Sequence, residues 1–127
     1  MNIRTLQRGL QYCGRVDAIR QTYHVFESKG GFLVLSFARA KARRGSGYFN
    51  LVAAAAVDYV HERFGGRRGV TANDVLAAAR RTRHIPTRLL ALNVLYVLVA
   101  LGHASMTRTG EHRQLFFAVR KGRGRGA

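Results

Sequence analysis

Two runs, Thr22–Phe26 and Phe32–Phe37, are dense in β-branched and aromatic residues and are joined by Ser28-Lys29-Gly30-Gly31. Such runs across a short glycine-bearing turn predict a β-hairpin over Thr22 to Arg39. In its second strand Leu33, Leu35, Phe37 and Arg39 share one face, and Phe32, Val34, Ser36 and Ala38 share the other. Nearly all of these positions are apolar, so at least partial cover is expected on both faces. A second hairpin is predicted over His103 to Arg120. There Arg113, Leu115, Phe117 and Val119 alternate with Gln114, Phe116, Ala118 and Arg120.

Helical periods fill the remaining chain. Ile3, Leu6, Leu10 and Cys13 fall at helical spacing, with Gly14 as the stop. Phe49, Val52, Ala53, Ala56, Val60 and Phe64 form the stripe of an amphipathic helix, closed by Gly65-Gly66. Thr71 with Asp74 three residues on is a variant capping box that opens a helix from Ala72 to about Thr82. The next helix opens at Pro86 or Thr87 and runs to Leu101, before Gly102. It is apolar nearly all round, the mark of a central helix or of one that seals a subunit interface. The expected fold is therefore α+β: two hairpins in one antiparallel four-stranded sheet, flanked by about four helices. Residues 1–120 form a single domain, and the Arg/Gly tail, 121–127, is expected to be disordered.

Charge changes the picture. Among 127 residues, 22 are Lys or Arg and 6 are Asp or Glu, a net charge of +16. Only Lys29, Lys41 and Lys121 are lysine, and arginine's planar fork suits phosphate and stacks on bases. An anionic partner is implied, nucleic acid first and an anionic membrane surface second. The first residues lack a signal peptide's apolar run. Leu89 to Leu101 is interrupted by Asn93 and falls short of the roughly 20 residues that span a bilayer. A soluble, cytoplasmic protein is expected, with no membrane partner. The single proline and sparse Asn and Gln resemble thermophile composition.

The basic stretch Arg39 to Phe49 stands out. Arg39, Lys41, Arg43 and Arg44 precede Gly45-Ser46-Gly47 and the adjacent aromatics Tyr48 and Phe49, with no acid among them. Cations bind phosphates and exposed rings stack on bases, each stacked base contributing about 1–3 kcal/mol. The candidate phosphate contacts are Arg39, Lys41, Arg43 and Arg44, with Arg113 and Arg120 of the last strand. The candidate stacking residues are Tyr48 with Phe37 or Phe117. The competing interpretation is a solvated loop with Tyr48 and Phe49 in the core.

Nothing in the pattern makes a case for catalysis or a cofactor. Asp58, His61 and Glu62 lie on one helix face with no second carboxylate cluster to complete a site, and five scattered histidines show no ligand spacing. Cys13 is the only cysteine. Gly45-Ser46-Gly47 is not a nucleophile elbow, and no Gly-Lys-Ser/Thr phosphate loop is present.

Two resemblances follow. Tyr48 to Arg120, read as three helices and a hairpin, resembles a winged helix–turn–helix. That implies a duplex-DNA regulator whose third helix, Thr87 to Leu101, lies in the major groove. This helix offers only Arg88, Asn93 and Tyr96 amid leucines and valines. The whole chain, through Gly47-Tyr48-Phe49-Asn50-Leu51-Val52 and Asn93 to Gly102, resembles the archaeal single-stranded DNA-binding proteins of the ThermoDBP type and their relatives. That resemblance implies sequence-independent capture of single strands by a domain that oligomerises, here through the Leu89–Leu101 helix; single-stranded DNA is the expected partner, and no residue pattern separates it from RNA. A structural RNA-associated protein that uses the tail is the third expectation.

Overall fold

The computed structural model describes residues 9–38, 47–81, 84–108 and 114–122. Four strands, β1 (Gln11–Asp17), β2 (Gln21–Ser28), β3 (Gly31–Ala38) and β4 (Gly47–Ala53), form an antiparallel meander in the order β1-β2-β3-β4. Three α-helices follow: α1 (Ala54–Phe64), α2 (Ala72–Ala78) and α3 (Arg88–Ala100). A two-stranded sheet, β5 (Ala104–Arg108) with β6 (Leu115–Val119), closes the chain. The class is α+β, as the pattern predicts.

The β2–β3 hairpin is the predicted one, with Ser28 paired to Gly31 and Gly30 at φ +83° in the turn. The other two strands of the sheet differ from expectation. The C-terminal hairpin forms its own sheet, and the places beside β2–β3 go to segments assigned to helices. In β4, Phe49, Val52 and Ala53 carry the i, i+3, i+4 spacing of a helix. That helical spacing is overridden by pairing with β3, from Phe37↔Gly47 to Gly31↔Ala53, and the helix begins only at Ala54. In β1 a bulge between Tyr12 and Gly14 inserts Cys13 and breaks the alternation that would have revealed a strand. The bulge also lays Gly14 against α3, where an added Cβ would come within 3.0 Å of the Ala100 carbonyl oxygen.

Helix ends follow their local chemistry. The Thr71 hydroxyl accepts the Asp74 amide at 3.2 Å, and the Asp74 carboxylate accepts the Thr71 amide at 3.0 Å, completing the capping box of α2. Thr87 caps α3 by accepting the Leu90 amide at 3.1 Å. Gly102, at φ +80°, turns the chain out of α3.

The core lies between the inner face of the sheet and the helices. Val16, Val25, Val34 and Val52 point inward from the four strands to meet Val94, Leu95 and Leu98 of α3 and Ala56 and Val60 of α1. Helix α3 touches every strand of the meander, both other helices and β5. It is buried from Asn93 to Leu98, and Leu89 is its one largely exposed apolar side chain. Its all-round apolar surface is thus consumed inside a single chain. Of the two roles that such a helix predicts, the central one is observed.

Candidate nucleic-acid interface

Strand pairing fixes which side chains share the outer face of the sheet, since residues directly opposite one another point the same way. Tyr12 lies opposite Phe26, Phe26 opposite Leu33, and Leu33 opposite Leu51. One step along, Arg15, His24, Leu35 and Phe49 form the next row, followed by Asp17, Thr22 and Phe37. This face therefore carries three phenylalanines and a tyrosine on neighbouring strands. Tyr12 is 52% exposed, Phe37 42%, Phe49 64% and Leu51 69%, whereas Leu33 in their midst is buried by its neighbours.

The rings are ordered against one another. Tyr12 meets Phe26 edge-on at 5.2 Å between centroids, and its hydroxyl lies 3.1 Å from His24 Nδ1. His24 in turn meets Phe37 edge-on at 6.0 Å. Asp17, the acid on this face, is engaged by Arg15 at 3.4 Å and by the Thr22 hydroxyl at 3.0 Å. The face is thus a preorganised surface of rings and aliphatic side chains with its negative charge already countered.

The candidate residues divide. Phe37 is exposed on the outer face, as stacking requires. Tyr48 is exposed too, but it shares its face with Asn50 and Val52 and lies opposite Ser36, so it borders the platform rather than joining it. Phe117 is a correction. It is fully buried, 6.1 Å from the Tyr96 ring, and its amide and carbonyl pair with Val70. A ring locked there has no face for a base. Arg120 is exposed, but it lies beside His61 and His103 at the C-terminal end of α3, whereas Phe37 stands at the opposite end of the sheet. Arg39, Lys41, Arg43, Arg44 and Arg113 lie outside the described residues. Residues 39–46 nevertheless connect β3 to β4, leaving and re-entering the sheet at the Phe37↔Gly47 pair, so the connection that carries four cations is rooted beside the platform.

Sequence reasoning misses Phe49, Leu51 and Tyr12 as members of this face because their segments carry helical spacing. Aligning Gly47–Ala53 as a partner for β3 would have brought Phe49 and Leu51 into line with Leu33, Leu35 and Phe37.

Other groups bear on chemistry. Arg20 and Arg88 flank a cavity of about 380 Å3 under the same end of the sheet, over Tyr23 and Tyr96. Burial foremost, then neighbouring Tyr23, pushes the Tyr96 phenol far above its ordinary range, with the Arg88 charge opposing. Burial likewise raises Tyr23. Both phenols stay neutral and serve as hydrogen-bonding groups. Burial, with the Glu27 carboxylate, raises the Cys13 thiol, which disfavours the thiolate. Arg63 and Arg67 stand 5.5 and 5.6 Å from the Phe64 ring centroid. Among the described residues no three His, Cys, Asp or Glu side chains gather as metal ligands, and no helix is long and apolar enough to cross a membrane.

From α1 onward the described elements run helix, an isolated bridge from Val70 to Phe117, two helices and a hairpin, the order on which the expected winged-helix resemblance rests. What departs from that plan is the β1–β4 sheet, which packs on α3 and leaves only its first turn, with Arg88 and Leu89, exposed. No protein-family model, curated protein sequence or solved structure matches this chain.

Proposed function

We propose that this protein binds single-stranded nucleic acid without regard to sequence and without catalysis. Bases lie on the outer face of β1–β4, against Phe37, Phe49, His24 and Tyr12. Phosphates meet the cations of the β3–β4 connection, Arg39, Lys41, Arg43 and Arg44. The observation that carries this reading is the ring-bearing sheet face, exposed and bordered by a connection with four cations and no acid. Stacking does not discriminate among bases, because every base has a π-face, and arginine follows the backbone whatever the sequence. Duplex DNA hides its base faces, and α3, the helix that would enter a groove, is buried beneath the sheet.

Competition between a mixed-sequence single strand and its own duplex, at fixed salt, tests this directly. The single strand is expected to win, and duplex preference refutes the reading. Replacing Arg43 and Arg44 together by Gln is expected to weaken binding. It should also flatten the dependence of log K on log salt by about 0.7 for each phosphate left unneutralised. An unchanged slope removes these two residues from the site.

A further inference from the structure

The cavity beneath the sheet has the composition of a ligand site. Its volume, about 380 Å3, falls in the range of small-molecule pockets. Tyr23 and Tyr96 form an aromatic floor, their ring centroids 4.2 Å apart and tilted by 31°. Leu92 of α3 and Leu115 of β6 supply apolar walls. Arg20, in the turn between β1 and β2, and Arg88, in the first turn of α3, bring two cations to it, and Gln21 and Gln114 add neutral donors and acceptors.

Among the described residues no Asp or Glu lines the cavity. The acids nearest in sequence to its lining are already engaged, Asp17 by Arg15 and Thr22 and Asp74 by the Thr71 amide. Arg88 Nε donates to Asn73 Oδ1 at 3.1 Å, which sets the plane of its guanidinium. A fixed arginine fork suits a phosphate, whose oxygens accept two parallel N–H bonds. Such a pocket favours a ligand that is anionic at one end and flat and apolar at the other.

We propose that this cavity binds a nucleoside monophosphate, with the phosphate on Arg20 and Arg88 and the base against Tyr23, Leu92 and Leu115. Two sources supply that chemistry: a free nucleotide, or the 5′-phosphorylated end of a strand lying on the outer face. The second source rests on the strand-binding reading above, and the first does not.

Calorimetric titration of the full chain with the four ribonucleoside 5′-monophosphates, their nucleosides and inorganic phosphate tests the site. At least one monophosphate should bind about tenfold or more tightly than its nucleoside and than phosphate alone. Arg20→Gln and Arg88→Gln should each weaken it by about tenfold, at a melting temperature that shows the fold intact. Leu92→Phe, which narrows the cavity where the base is placed and leaves both charges, should also weaken it. The proposal is overturned if no monophosphate binds, if none outdoes inorganic phosphate, or if Arg20→Gln and Leu92→Phe both leave affinity unchanged. Short oligonucleotides with and without a 5′-phosphate separate the sources. A preference for the phosphorylated strand that Arg88→Gln erases assigns the strand end, and equal binding of the two strands assigns the free nucleotide. If monophosphates bind while no oligonucleotide does, the strand reading fails and this site stands.

Discussion

The two faces of the β1–β4 sheet are built from different residues. Inward, each strand contributes a valine: Val16, Val25, Val34 and Val52, all buried against α3 and α1. Outward, the same strands hold Tyr12, His24, Phe26, Leu35, Phe37, Phe49 and Leu51, several of them mostly in contact with solvent. Compact β-branched side chains let a helix approach a pleated sheet closely. Rings occur on the inner face too, Tyr23 and Phe32, but packed against the core, whereas the outer rings are left in water and forgo the stabilisation of burial. Sheet stability alone accounts for the inner face. The outer face makes physical sense as a surface kept for a partner.

Substitutions that treat the two faces alike should expose the contrast. The largest effect is expected from a charge. Val34→Asp places an unpaired carboxylate in the core and should cost several kcal/mol, enough to abolish the cooperative thermal transition. Leu51→Asp on the outer face should leave that transition nearly in place while greatly weakening strand binding. Equal loss of fold in both variants would erase the distinction between the faces. Next, Phe37→Ala and Phe49→Ala should each weaken single-strand binding by about 1–3 kcal/mol, with little change in salt slope or melting temperature. Unchanged affinity in both, measured by fluorescence anisotropy, would move the bases elsewhere.

A smaller effect concerns the polar exception beside the inner face. Asn93 is fully buried in α3. Its Nδ2 donates to the Leu89 carbonyl at 2.8 Å, and its Oδ1 has no hydrogen-bond partner among the described residues. Replacing it with Leu, of the same branched shape, should raise stability by about 1 kcal/mol in a denaturant titration, since an unmade buried hydrogen bond is costly. A fall in stability would mean that Oδ1 is satisfied by something such as a bound water.

The smallest effect is a pH dependence that belongs to neither face. His103 stacks on His61 at 4.6 Å, and burial, then the charges of His61 and Arg120, lower its pKa from the ordinary 6.5. The unfolded chain therefore binds this proton more readily than the folded one. Stability should be full above about pH 6.5 and decline as pH falls from there toward the depressed folded value. Because the side chain is largely exposed, solvent screening keeps the loss small. His103→Gln should remove this part of the decline in melting temperature, and an unaltered profile would refute the assignment.

Much of the local structure was legible because it is set by local chemistry. Thr71 and Asp74 could only cap, Thr87 follows a proline into a helix, and the hairpin through Gly30 has a turn between two strand-like runs. What was not legible depended on pairing across the chain. Cys13 sits in a bulge that mimics a helical step, and Phe49, Val52 and Ala53 carry a helical spacing that pairing with β3 overrides. Phe117 looked free because alternation within β6 cannot reveal that Val70 and Tyr96 enclose it. Phe37 was recognised as a candidate because its hairpin was legible. Phe49 was not placed beside it, because its strand was not.

Helix α3 is the one element that touches both sheets and both other helices. The N-terminal strands and the remainder of helices and hairpin therefore cannot be parted as separate folding modules. Cutting the chain after Ala53 would strip the cover from the row Ala91, Val94, Leu95 and Leu98, and neither fragment would keep a dry interior of its own. Limited proteolysis should accordingly leave either a nearly whole chain or small peptides, with no stable half between them.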